Sequence, residues 1–169
     1  RTMIAIRAGT TIRIDGETFA FDRETPIAVG DLIPGEDYGV RIGADERPFA
    51  SLLGPENPLD AGWLAGFHFA PGGCAEARSG GDAAPAINPC SIWDLRFRPT
   101  CPDPRGMAFG RAPNGHAFWA DIYLLGVDHR RHGTSRCGVT IADGDTLPRL
   151  SFKDATDIYA SHRKRLLTY

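Results

Sequence analysis

Glycine and proline are scattered among the apolar runs of this chain, and that scatter limits what it can fold into more than any other feature. Together they make up 33 of 169 residues, about a fifth against a usual combined share of about 12%. Proline removes a backbone donor and breaks helices, while glycine serves tight turns. A chain punctuated in this way turns often and builds few long helices. Apolar runs lie between the breakers, so a loop-rich, mainly β fold with a little α is expected rather than disorder.

The length, 169 residues, suits one ordinary domain or two small ones. A formal net charge of -2, with no long block of one sign, argues against non-specific nucleic-acid binding, which depends on phosphate neutralisation. No apolar run approaches the roughly 20 residues of a membrane-spanning helix, so neither nucleic acid nor membrane insertion is expected. The opening Arg1-Thr2-Met3 lacks signal-peptide anatomy and reads as a trimmed start. Cys74, Cys90, Cys101 and Cys137 lack the paired spacing of a structural zinc site. They read either as one or two disulfides among three possible pairings or as small buried thiols. No metal and no cofactor is expected.

Taken in order, residues 2–29 read as a small β-meander. Ile4, Ile6, Ile12 and Ile14 alternate with polar or small neighbours, the period of half-buried strands. Asp15-Gly16 is a hairpin signal, Phe19 and Phe21 continue the alternation, and Pro26 to Val29 is a further short strand. After a turn at Leu32 to Asp37, the residues Tyr38, Val40 and Ile42 alternate again. Gly43, Pro48, Gly54, Pro55, Pro58 and Gly62 crowd the next segment with breakers. They place a boundary between a small β-sandwich or meander domain, residues 1–62, and a second unit, residues 63–169. Trp63 to Ala70 reads as a strand, and residues 74–89 as an extended surface loop.

The stretch Ser91 to Tyr123 holds two of the three tryptophans, Trp93 and Trp119, and large aromatics usually mark where a core closes. Ser91 to Phe97 is read as a turn leading into a strand, with one helical turn as the alternative. Pro99, Pro102 and Pro104 exclude a helix beyond it. Met107 to Gly110 and Ala117 to Leu125 read as strands joined through Asn114-Gly115. Val127 to Arg136 reads as a polar loop, and Cys137 to Ala142 as a short strand. The last segment carries the one convincing helix. Ser151 can cap it, with Asp154 three residues on. Phe152, Ala155, Tyr159, His162 and Leu166 form an inward stripe, and the run His162-Arg163-Lys164-Arg165 falls in the last turn, where cations suit the helix dipole.

Candidate chemistry is sparse. Asp128-His129-Arg130-Arg131-His132 is the densest polar cluster, but no serine or cysteine stands in an elbow-type motif beside it, and it reads as a solvated loop. His68, between Phe67 and Phe69, reads as a histidine satisfied in or near the core. No glycine-rich phosphate loop exists. Asp103 and Arg105 read as an ion pair or as partners for backbone groups at the turn. The residues by themselves show no enzyme apparatus and indicate no ligand.

Five blocks in this order carry a family resemblance: Gly66-Phe67-His68-Phe69-Ala70-Pro71-Gly72, Ser91 to Pro99, Asp103-Pro104-Arg105-Gly106-Met107, Phe118 to Val127, and Val139 to Gly144. They resemble the phage major tropism determinants, receptor-binding proteins of virion fibres. Ile6 to Thr10 and Gly35-Glu36-Asp37-Tyr38 match that family's middle β-domain.

The resemblance implies a small β-domain followed by the amino-terminal part of a C-type-lectin-like domain of the type shared with formylglycine-generating enzymes. It further implies a non-enzymatic homotrimer on the virion, held in the host cytoplasm before assembly. Its partners would be other fibre or baseplate proteins and a host cell-surface receptor, protein or glycan. Trp93, Phe97 and Trp119 are expected in the lectin-like core, with Asp94, Arg98, Asp103 and Arg105 holding its turns. Receptor-binding residues are expected beyond Tyr169, since His162 to Tyr169 resembles the helix preceding the family's variable region. Two departures stand out: the Pro- and Gly-containing insertion at Arg111 to His116, and the cysteines at 74, 90 and 137. A structural spike without receptor binding, or a fragment of a formylglycine-generating-type enzyme, are the competing expectations.

Overall fold

In a computed structural model of the chain, residues 3–59, 62–72, 84–94, 101–142 and 150–166 are described. The amino-terminal part nests one hairpin inside another strand pair. Strands β1 (Ala5–Ile6) and β4 (Thr25–Pro26) pair antiparallel around the hairpin of β2 (Thr10–Ile14) and β3 (Glu17–Phe21). Asp15 and Gly16 at its tip have φ of 48° and 91°, the two positive values a type I′ turn requires.

Strand β5 (Asp37–Ile42) is the centre of the main sheet. It pairs antiparallel with β6 (Pro48–Leu52) on one side and β7 (Ala65–Ala70) on the other. Beyond β7 come β8 (Ala86–Ile87) and β9 (Trp93–Asp94), both paired to it. The boundary expected at residue 62 thus falls between strands of one continuous sheet. Breaker residues mark where the chain turns, whereas sheet membership is decided by which distant strands pair. The segment expected to be a surface loop up to residue 89 ends instead in buried Ala86 and Ile87, drawn in by β7.

Alternation gives the sheet two unlike faces. On one, Tyr38 lies opposite Phe67 with their rings stacked 5.5 Å apart. Val40, Phe69, Ile27 and Ile87 complete that core, with Ile4, Ile6, Val29 and Leu32 packed against it. On the other face Asp37 lies opposite His68 and Gly39 opposite Gly66. Two tryptophans cover those glycines. A Cβ at residue 39 would come within 2.2 Å of Trp63, and one at residue 66 within 2.5 Å of Trp93. Trp63, Trp93 and Leu53 form the second core cluster, with Trp119 packed against it.

A 3-10 turn at Pro89–Ser91 leads into β9. The hairpin of β10 (Met107–Arg111) and β11 (Ala117–Asp121) follows, its second strand ending four residues short of the expected Leu125. Two helices close the described chain: α1 (His129–His132) and α2 (Phe152–Ser161). Helix α1 replaces the polar loop expected there. Between Cys137 and Ala142 the expected strand is reduced to a single bridge, Gly126 to Ile141.

The cap of α2 follows the local signal. Ser151 Oγ accepts from the Asp154 N–H at 3.1 Å, and the Asp154 carboxylate accepts from the Ser151 N–H at 3.0 Å. Its inward stripe holds in part: Ala155, Tyr159, His162 and Leu166 are half-buried, whereas Phe152 is 79% exposed and Ile158 is the fully buried residue. The basic run falls past the helix end: His162 is the C-cap and Arg163 turns left-handed at φ 59°.

Candidate functional site

The polar side of the main sheet is the best organised polar region among the described residues. His68, 1% exposed, stands on β7 opposite Asp37, and its Nδ1–H donates to Asp37 Oδ1 at 3.2 Å. The same oxygen accepts from the Gly106 N–H at 3.1 Å. Its Nε2 lies 2.7 Å from the Tyr123 hydroxyl, and the two rings meet edge to face. Burial pushes the Tyr123 hydroxyl well above the ordinary phenol range, so it stays a donor. The Tyr123 N–H donates to Ser135 Oγ, whose own proton goes to the Gly106 carbonyl. One network therefore joins β5, β7, the start of β10, the end of β11 and the segment after α1.

The backbone of His68 is held as firmly as its ring. Its N–H donates to Ser91 Oγ at 2.8 Å, Ser91 donates to the Asn88 carbonyl at 2.7 Å, and the Asn88 N–H returns to the His68 carbonyl at 3.0 Å. This knot of buried polar groups docks the 3-10 turn on β7 and sets Trp93 over Gly66.

Asp103 and Arg105 both pair with each other and hold backbone groups. Arg105, 6% exposed, donates from Nε and one terminal nitrogen to the two oxygens of Asp103 at 2.9 and 2.7 Å. Its other terminal nitrogen donates to the carbonyls of Gly54 and Asn57 at 2.6 and 2.8 Å. The planar fork of arginine suits this two-sided geometry. Trp93 is buried; Asp94 is half-buried on β9, opposite Ala65. Trp119 is half-buried and meets Phe109 across the β10–β11 hairpin at 5.6 Å. Phe97 and Arg98 lie outside the described residues, as does Cys74.

The cluster at 128–132 is not a solvated loop. His129 is fully buried under Tyr159 and His162, with ring centroids 5.0 and 5.9 Å away. Asp128 pairs with Arg136. Nearby, Lys164 reaches Asp121 at 2.6 Å, with both side chains about nine-tenths buried. No local sequence signal announces these contacts; they join residues on separate elements.

The Asp37–His68 pair has the form of a carboxylate-held base, with the His68 ring buried and its Nε2 2.7 Å from the Tyr123 hydroxyl. The cavity beside it, lined by Asp37, Arg105, Thr134, Arg136 and Cys137, has room for about one water molecule. Among the described residues no group of three His, Cys, Asp or Glu side chains could hold a metal ion. The described helices include none long and apolar enough to cross a membrane. The arrangement can hold a scaffold rigid.

No protein-family model matches the chain. The tail fiber receptor-binding protein of Bordetella phage BPP-1 is 40% identical over 163 residues, covering 94% of this chain and 42% of that protein. Among solved structures, the I1 and M1 variants of the major tropism determinant superpose with TM-scores of 0.80 and 0.79. They are 36% and 34% identical, and each match covers 99% of this chain and 48% of the other. The chain is similar in sequence and fold to the phage major tropism determinants.

It spans less than half the length of the relatives it matches. The mainly β fold with few helices is the one shared with the major tropism determinants, whose fold is C-type-lectin-like. The likeness over 99% of the chain takes in the segments that carry Asp37, His68 and Arg105.

Proposed function

We propose that this chain is part of a phage virion fibre protein that recognises and attaches to the host cell, acting by binding and without catalysis. The observation that supports it is the 40% identity with a tail fiber receptor-binding protein over 94% of the chain. In this reading the Asp37–His68–Tyr123 and Asp103–Arg105 networks are a rigid base, and no described residue is assigned to the receptor. The partners are further copies of the chain in a homotrimer, other fibre or baseplate proteins, and a cell-surface protein or glycan. The protein passes through the host cytoplasm before it joins the virion.

Negative-stain imaging of phage labelled with antibody against this protein tests the reading, together with competition of phage adsorption by the full-length protein. Label at fibre tips and reduced adsorption are expected. Virions without label would overturn it, and label without competition would reduce the role to a structural spike.

A further inference from the structure

The corner between α1 and α2 holds a group that the scaffold does not need in order to close. His129 is fully buried, and neither ring nitrogen has a hydrogen-bond partner among the described residues. Buried polar groups are normally paired, and an unpaired one calls for an explanation. The groups that face it are Asp128 on α1, Tyr159 on α2, His162 and Lys164 after α2, and Asp121 at the end of β11. Lys164 and Asp121 neutralise each other in their own ion pair, which leaves no carboxylate dedicated to an imidazolium at His129. Asp128 is committed to Arg136.

The contact itself is close. Gly133 caps α1 in the left-handed region at φ 71°, and an added Cβ there would come within 2.3 Å of His162 Nδ1. The His162 ring therefore sits in the space a side chain would fill, with Nε2 bonded to the Arg130 carbonyl at 2.9 Å. That bond gives the His162 ring a partner, since the carbonyl accepts from its Nε2–H. His129 has no such outlet. Of the two histidines it alone has both ring nitrogens without a partner among the described residues.

We infer that His129 makes the α1–α2 corner an acid-released clasp: taking a proton at His129 requires the ring to reach water, and α2 with its following segment lifts off α1 and β11. Burial and the neighbouring Lys164 hold the ring below the ordinary histidine range. The sign follows from linkage. Above about 6.5, the ordinary histidine value, open and closed states are both neutral at His129 and closure is at full strength. Below it the open state takes the proton and the closed state does not. The open fraction of the corner then rises about tenfold per pH unit until the lowered closed-state value is reached.

Hydrogen–deuterium exchange of the full-length protein between pH of about 7.5 and about 5.5, corrected for intrinsic rates, reads the clasp directly. The expected result is protection of residues 152–161 that falls about tenfold per unit below about 6.5, with β10 and β11 unchanged. In His129→Phe, which keeps the ring volume and removes the titrating group, that fall is expected to vanish. Unchanged α2 protection across the range, or the same fall in a folded H129F, would overturn the inference. Where H129F does not fold, the His129 imidazole signals of the unaltered protein decide. A ring that titrates near about 6.5 with α2 still protected rejects the clasp.

Discussion

The indole of Trp93 occupies the space that a side chain at residue 66 would need: a Cβ there would lie 2.5 Å from the ring. Gly66 is the cross-strand partner of both Gly39 and Trp93, so the sheet is bare of side chains where the aromatic layer lands on it. Gly66→Ala is expected to force the rigid indole or the strand aside. Overpacking of this kind costs about 1–3 kcal/mol, read as a lower thermal midpoint, whereas Gly30→Ala, where nothing lies within 4 Å, serves as the neutral control.

Asp37→Ala removes the acceptor shared by His68 Nδ1–H and the Gly106 N–H. Leaving buried donors unpaired is expected to destabilise by about 1–3 kcal/mol. Tyr123→Phe removes only the hydroxyl that serves Nε2 and is expected to lose less. Chemical denaturation of the two variants and their double mutant checks this, with less-than-additive losses marking one connected network.

Arg105→Lys keeps the charge and discards the fork. Lysine cannot serve both Asp103 oxygens and the Gly54 and Asn57 carbonyls at once. A loss of about 2 kcal/mol is expected, accompanied by faster hydrogen exchange across residues 54–57.

Ser151→Ala removes an exposed cap, and α2 is expected to lose about 1 kcal/mol. The effect is local fraying of its first turn, seen as faster exchange at Asp154 and Ala155 with the thermal midpoint of the sheet unmoved. Ser151→Asp, which restores an oxygen acceptor, is expected to recover most of it.

Burial raises the Cys101 thiol from an ordinary 9.0 to about 11. Cys90 and Cys137 are exposed. At a pH of about 8 a thiol reagent is expected to modify Cys137 quickly and Cys101 only after denaturation. Because the neutral thiol is the form favoured by the fold, its contribution is complete below the ordinary value and is lost as pH rises from there toward about 11. Fast labelling of Cys101 in the folded protein would contradict this placement.

Some of this structure is written locally. Proline and glycine spacing indicates many short strands, Asp15-Gly16 specifies its own turn, and Ser151 with Asp154 specifies the start of α2. Each signal acts over a few residues, so neighbours in sequence suffice to read it. The ordered blocks from Gly66 to Gly144 likewise carry the family likeness without any coordinates.

The tertiary structure alone decided the rest. His68 finds Asp37 across 31 positions and Tyr123 across 55. Gly39 and Gly66 become a landing site only when β5 and β7 pair in one register. His129 reads as a polar loop residue until α2 folds over it. A side chain's burial and partners depend on which strands and helices meet, and that depends on long-range packing, whose energy no short window of sequence contains.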